Sequence, residues 1–298
     1  MFAVPVLKAL AETTDLQLVV TQPDRPVGRG RKLEAPPVKK AAKELGLKVI
    51  QPSVVKGRRF TSMIATYSPN LIVTAAFGRL LGKSLLELPP LGCLNVHASL
   101  LPRYRGAAPI SRAILNGDQK TGVCVMKMDE GLDTGDVYHS LSLDIGENET
   151  TGELTLRMAK LGAKALVDVI GSIGDMALTA QDHGAATYAS MLQKKDGLVD
   201  WSKDAKELHC HVRGMHPWPC AFTVLNGQTL KLHRSFLLDS TRLSEHPGTV
   251  LDHSDQGIDV ACGKGVLRLT DVQLPGKKQL SPRQFFAGNK QGRGSLLG

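Results

Sequence analysis

Between Leu16 and about residue 173, short apolar runs alternate with longer amphipathic stretches. A chain patterned this way builds a mainly parallel sheet with helices on both faces, an α/β fold. Strand-like runs fall at 16–21, 48–50, 71–76, 94–97, 122–128 and 137–144, and helix-like stretches at 36–46, 79–87, 108–116 and 152–173. The residues from Met1 to Leu10 read as an amphipathic helix that tolerates Pro5 in its first turn. They are too short an apolar run, with too little charge ahead of it, for a secretion signal. Glu12 and Asp15 argue against an Arg-rich transit peptide.

The texture changes after residue 176. The polar stretch from Thr179 to Gly184 reads as a linker. A helix is expected at 203–213, then strands at 220–225, 229–236, 247–252, 257–262 and 265–273, punctuated by Asn226-Gly227, Asp255-Gln256-Gly257 and Gly263-Lys264-Gly265. Short strands at this spacing suit a small antiparallel barrel. With 298 residues, two domains are expected, 1–176 and 194–298, joined by a linker at 177–193.

Charge is the first clue to a partner. Lys and Arg number 37 against 28 Asp and Glu, a net +9, and residues 194–298 hold fifteen basic and ten acidic side chains. Such an excess suits a polyanion, nucleic acid or a membrane surface, and a compact basic barrel suits nucleic acid. A hydrophobic share of 42% and a charged share of 22% exclude a disordered or fibrous chain. No apolar run approaches the ~20 residues of a membrane span. Five scattered cysteines with no C-x-x-C pair point to a reducing compartment.

The densest chemical signal lies in Leu94-Asn95-Val96-His97-Ala98-Ser99-Leu100-Leu101-Pro102-Arg103-Tyr104-Arg105-Gly106. Asn95 and His97, two apart on a strand, project to one side near its carboxyl end, where open α/β sheets hold ligands. An amide and an imidazole converging there could stabilise an oxyanion and handle a proton. A strand-end His held by a structural hydrogen bond is the plainer reading of the pair alone. A second segment, Met128 to Asp136, is acidic, punctuated by glycine and also follows a strand. A carboxylate delivered from it could orient His97 and keep it charged, or hold a water as proton carrier.

Other chemistries find little support. Ser99 lacks a G-x-S-x-G elbow and no cysteine sits in a nucleophile motif. No G-x-G-x-x-G or G-x-x-x-x-G-K-[ST] segment favours NAD or ATP. His209, Cys210, His211, His216 and Cys220 supply soft ligands, but two histidines two apart on a helix diverge and Pro217-Trp218-Pro219 breaks the segment, so no metal is expected. The loop from Thr21 to Leu33 places Arg25, Arg29, Arg31 and Lys32 within eight positions among glycine and proline, where they could clasp phosphates.

Together these segments resemble the methionyl-tRNA formyltransferases, a branch of the folate-dependent formyltransferases. The resemblance rests on T-Q-P-D-R-P-x-G-R-G at 21–30, L-N-V-H-x-S-L-L-P-R-Y-R-G-A-A-P-I at 94–110, M-D-x-G-L-D-T-G-D at 128–136, H-P-W-P at 216–219 and P-G-K-K at 275–278. It implies a Rossmann-like formyltransferase domain followed by an OB-like β-barrel domain. It further implies a catalytic trio of Asn95, His97 and Asp133, and folate contacts from Ser99, Leu100, Leu101 and Pro102, with Phe77, Leu80 and Leu81 lining the pterin pocket. The loop at 21–36 would meet the acceptor end of tRNA, with Arg29 foremost. The co-substrate implied is 10-formyltetrahydrofolate and the partner initiator methionyl-tRNA, with no metal and no membrane. A monomer in the bacterial cytoplasm is expected, with an organellar origin left open.

The chain departs from the family pattern in two places. The family opens with a strand and a Gly-Thr-Pro turn before F-A-V-P-V-L, so the first, central strand is expected to be missing and two sheet edges exposed. His216 stands where the family carries Asn before P-W-P. Competing expectations are formyl transfer to a ribonucleotide or sugar amine, hydrolysis of formylfolate, and non-catalytic RNA binding on the same fold.

Overall fold

Helix α1 (Ala3–Thr13) turns Val6 and Leu7 inward, and short strands follow it along the chain. These are β1 (Val19–Val20), β2 (Arg25–Val27) and β3 (Lys32–Glu34), followed by helix α2 (Pro37–Glu44) and β4 (Val49–Ile50). The computed structural model describes residues 2–27, 30, 32–244, 246–287 and 292–298. Next come α3 (Arg58–Ala65), β5 (Ile72–Ala75), α4 (Lys83–Leu86), β6 (Cys93–His97), β7 (Arg105–Gly106) and α5 (Pro109–Leu115). Strands β8 (Lys120–Lys127) and β9 (Val137–Asp144), the long helix α6 (Thr151–Ser172) and β10 (Tyr188–Ala189) complete the α/β region.

The strands of this region join in separate ladders. β1 pairs in parallel with β4, and a second sheet runs β5-β6-β8-β9. β5 and β6 are parallel, with Thr74 opposite Asn95, whereas β6 and β8 are antiparallel, with His97 opposite Cys124 and Leu94 opposite Lys127. Both ladders share one apolar layer: Leu18, Val20, Ile50 and Ile72 pack against Val55, Phe60, Ile64 and Leu85. A second layer joins Leu7 of α1, Val19 of β1 and Ala41 and Ala42 of α2.

Three local elements differ from the sequence reading. The stretch expected as helix 79–87 yields only α4, because Ala76 and Gly78 hold positive φ and Gly82 caps the turn. Residues 58–65 form α3, whose Phe60 and Ile64, one turn apart, are its buried anchors. The basic segment at 21–33, read as a loop, contains the antiparallel pair β2–β3, with Pro26 opposite Leu33.

The chain divides into two compact units that interleave in sequence. The first comprises Met1–Pro109, Thr121–Leu143 and Thr155–Ala189, and the second Ile110–Lys120, Asp144–Leu154 and Ser190–Gly298. The second unit holds α7 (Ala205–Met215), β11 (Ala221–Leu225), β12 (Gln228–Leu243), β13 (Val250–Ser254), β14 (Gly257–Ala261), β15 (Lys264–Gln273) and α8 (Pro282–Ala287). Its five antiparallel strands follow the order β11-β12-β15-β14-β13. β12 runs past the expected 229–236 and stays paired with β15 through a series of register shifts.

Polar groups stitch this unit where its backbone would otherwise be left unpaired. At the start of α6, Thr150 and Glu153 form a capping box, and Arg234 reaches the same Glu153 carboxylate. The Thr150 backbone N–H, then its hydroxyl and Arg234, hold the Glu153 carboxyl down at about 2. His209 on α7 bonds Ser235 Oγ through Nδ1 at 2.9 Å and the Glu147 carbonyl through Nε2 at 3.1 Å. Among the described residues, no group of three His, Cys, Asp or Glu side chains could hold a metal ion, and no helix is long and apolar enough to cross a membrane.

Burial lowers His209 from 6.5 to about 4, with the Arg213 charge acting in the same direction. The unfolded chain therefore binds a proton at this site between those values when the native state does not, so stability falls as pH drops from about 6.5 towards 4. His211, His216 and His233 are shifted downwards too, each chiefly by burial. Urea unfolding of His209→Gln at a series of pH values should show a lower midpoint at neutral pH, and a pH slope in this window shallower by about one proton.

Candidate active site

β6 sets the site. With side chains alternating across the sheet, Asn95 and His97 project from the same face. The two neighbouring strands then fix what each can do. Thr74, opposite Asn95 on β5, donates its hydroxyl to Asn95 Oδ1 at 2.9 Å, so the amide nitrogen is turned the other way. That nitrogen donates to Asp133 Oδ1 at 3.3 Å. His97 is 5% exposed, and its Nε2 lies 2.9 Å from the Tyr104 carbonyl. A carbonyl only accepts, so Nε2 carries the proton, and Nδ1 faces Asp133 Oδ2 at 3.6 Å.

Asp133 arrives by an unexpected route. A parallel sheet would deliver the acidic segment beside the carboxyl end of β6, next to His97. Because β8 is antiparallel, it leaves the ladder at the opposite end, where the Met128 N–H donates to the Cys93 carbonyl. The turn then doubles back towards Asn95 and His97. Asp129 ties its base by accepting the Gly131 N–H and the Thr134 hydroxyl. A Cβ at Gly135 would lie 1.9 Å from the Lys127 carbonyl oxygen, so only glycine permits this return. Asp133 itself sits at φ +54°, and its Oδ2 accepts the Gly106 N–H at 2.8 Å.

The turn at 99–102 is pinned next to these groups. Ser99, fully buried, donates its hydroxyl to the Arg103 carbonyl at 2.6 Å, and the Leu101 N–H reaches Cys124 Sγ at 3.3 Å. Burial pushes the Cys124 thiol up, which suits a packed acceptor rather than a nucleophile. An amide, an imidazole and a carboxylate thus converge on the end of one strand beside a rigid turn. No serine or cysteine among these groups is poised to attack, so the arrangement fits noncovalent transfer to an external nucleophile.

Residues 4–170 match the formyl transferase family and residues 191–290 match the formyl transferase C-terminal domain. The chain belongs to the formyl transferase family. A methionyl-tRNA formyltransferase of Acetivibrio thermocellus is 44% identical over all of this chain and 96% of its own length. Among solved structures, the sugar 3N-formyl transferase WlaRD has a TM-score of 0.66 at 17% identity, over 93% of this chain and 95% of that one. HypX from Aquifex aeolicus, solved with tetrahydrofolic acid, has a TM-score of 0.61 at 18% identity over 82% of this chain, which spans 43% of HypX. At these identities the two structures speak for the fold alone.

Within this formyl transferase the remaining expected residues scatter by environment. Phe77 and Leu81 pack on the layer formed by Val55, Phe60, Ile64 and Leu85, whereas Leu80 is 50% exposed. Arg25 and Lys32 are exposed on the β2–β3 pair, and Arg29 and Arg31 lie outside the described residues. The base of that hairpin is firmly held: Asp24 accepts Lys39 Nζ at 2.7 and 2.8 Å and Gln51 Nε2 at 2.7 Å. Lys39 first, and then Gln51, hold the Asp24 carboxyl below its usual value. Sequence reasoning missed Thr74, Tyr104 and Gly106. Thr74 stands in the strand run at 71–76 whose end would neighbour Asn95, and that position was the available signal.

Gly106 joins the two halves of the site, since its N–H holds Asp133 while its φ of +115° lets it lie against β10. A Cβ there would stand 2.9 Å from the Ala189 carbonyl oxygen. Gly106→Ala should cost about 1–3 kcal/mol in urea unfolding and depress turnover together with stability.

Proposed function

We propose that the protein transfers the formyl group of 10-formyltetrahydrofolate to the α-amino group of methionine on initiator tRNA, acting as a monomer in the bacterial cytoplasm. The observation that carries this reading is the meeting of Asn95, His97 and Asp133 at the end of β6, in a chain 44% identical over its full length to a methionyl-tRNA formyltransferase. The acceptor supplies its own nucleophile. An α-amine has a pKa of about 7.7–8.0, so a substantial fraction is neutral at pH 7–8.

The neutral amine attacks the formyl carbon, forming the new C–N bond and a tetrahedral oxyanion. Asn95 Nδ2 meets that charge, its orientation already set by Thr74. In the cationic form both ring nitrogens of His97 carry protons: Nδ1, which at 3.6 Å is not held by a normal hydrogen bond to Asp133, donates to the same oxygen, while Tyr104 keeps Nε2 fixed. Asp133 takes the ammonium proton, directly or through a water, and passes it to the folate nitrogen as the old C–N bond breaks. Tetrahydrofolate and the formylated aminoacyl-tRNA leave. Ser99, Leu100, Leu101 and Pro102 form one wall of the folate pocket. Leu80 offers it open apolar surface, backed by Phe77 and Leu81.

The acceptor arm meets the basic residues of 21–36, Arg25, Arg29, Arg31 and Lys32, and the basic stretch 194–298 contacts the tRNA body. Asp24, Lys39 and Gln51 hold the base of the β2–β3 pair, which leaves the exposed Arg25 and Lys32 to meet phosphate.

The reading is tested by formyl transfer to charged initiator tRNA, small amines and water, measured side by side. His97→Ala and Asp133→Asn should each lower kcat by about a hundredfold or more while folate affinity changes little. Folate affinity falling in step with kcat would sink these roles, and preferred transfer to a small amine would sink the tRNA acceptor.

Salt separates the two substrates. Phosphate contacts release counterions, so the affinity for tRNA should drop steeply as salt rises, while folate affinity stays nearly flat. Arg29→Ala should weaken tRNA binding and reduce the salt slope by about one unit.

A further inference from the structure

We infer that Gln181, with Arg105 behind it, is a positioning residue for Asp133, and that the segment around it is part of the active site rather than a connection between domains. The inference rests on the role given to Asp133 in formyl transfer. Gln181 is 8% exposed, and its Nε2 donates to two carbonyls of the acidic turn, Asp133 O at 3.0 Å and Gly135 O at 2.6 Å. One amide group therefore spans the turn just where Asp133 holds its left-handed φ of +54°. A non-glycine residue keeps such a conformation only when its surroundings over-determine it.

The other end of Gln181 is equally committed. Its Oε1 accepts Arg105 Nε at 3.1 Å and Nη2 at 2.7 Å, and Arg105 Nη2 also lies 3.0 Å from His183 Nδ1. Arg105 is 2% exposed, so its guanidinium is committed to Gln181 and His183 inside the protein rather than to solvent. Arg105 is followed directly by Gly106, the donor to the Asp133 carboxylate. A closed ring results: Arg105 orients Gln181, Gln181 fixes the Asp133 backbone, and Gly106 fixes the Asp133 side chain.

The following residues close the strap. The Thr187 hydroxyl accepts the Tyr104 N–H at 2.9 Å, the Thr187 carbonyl accepts the Arg105 N–H, and the Ala189 carbonyl accepts from Ala107 and Ala108. Tyr104 in turn supplies the carbonyl bonded to His97. The strap thus touches the supports of both His97 and Asp133, and a small displacement of either would be felt in the rate.

The test is a double-mutant cycle on the full chain, reading kcat and KM for both substrates. Gln181→Met keeps length and bulk but loses both donors and the acceptor. It should lower kcat by about tenfold or more with each KM within about threefold. In the Asp133→Asn background the same change should cost less than about twofold, because the group it positions is already disabled. The same factor lost in both backgrounds, or a Gln181→Met kcat within twofold of wild type beside a crippled Asp133→Asn, overturns the inference. Wild-type turnover by Asp133→Asn would instead overturn the role of Asp133. Should Gln181→Met fail to fold, Gln181→Glu gives the same comparison. It keeps the Arg105 pairing but sets an acceptor against the two carbonyls.

Discussion

The carboxylate of Asp133 can face His97 only because a turn leaving the far end of β8 folds back to the strand beside it. An unsupported turn would not hold that course, since it needs a left-handed aspartate and a backbone approach that excludes a Cβ at residue 135. The supports come from three separate parts of the chain. Asp129 closes the turn from within, Gly106 binds the side chain, and Gln181 binds the backbone. The site is therefore assembled from loops and strapped together, while β6 supplies the fixed reference against which the loops are placed.

Asn95 and His97 were legible because a period of two is a local property: once 94–97 is a strand, the two side chains must share a face. Asp133 was legible as a type, an acidic residue in a glycine-punctuated turn, but its approach was not. Strand direction depends on pairing between distant segments, which apolar patterning does not encode, so the antiparallel β8 was invisible. The same limit explains β2–β3. The segment around Pro26 read as a loop, yet residues 25–27 and 32–34 pair in a cross-strand ladder beside the Asp24–Lys39 ion pair.

Gln181 marks the harder limit. Thr179 to Gly184 has the composition of a linker, polar and ending in glycine, and composition cannot tell a solvated amide from one buried between two carbonyls and a guanidinium. Buried polar residues of this kind are set by tertiary partners that lie 46 and 76 residues away along the chain. The soft-ligand cluster at 209–220 shows the converse. Its spacing drew attention, but His209 is consumed by Ser235 and Glu147, and Cys220 Sγ faces the Leu232 carbonyl.

Gln22 lies between β1 and the basic β2–β3 pair. Its Nε2 donates to the Phe77 carbonyl at 2.8 Å, its own carbonyl accepts from Gln51, and Arg79 reaches its Oε1 at 3.3 Å. Gln51 also holds Asp24 at the hairpin base. The root of the β2–β3 pair is thereby bonded to Phe77 and Arg79, in the segment proposed to line the pterin pocket. Since the apolar layer beneath both ladders packs Phe77 and Leu81 with Val20 and Ile50, a shift at one would strain the other. The two proposed substrate-binding elements stand on a common footing, which would tie the proposed docking place of the acceptor arm to the proposed pterin pocket.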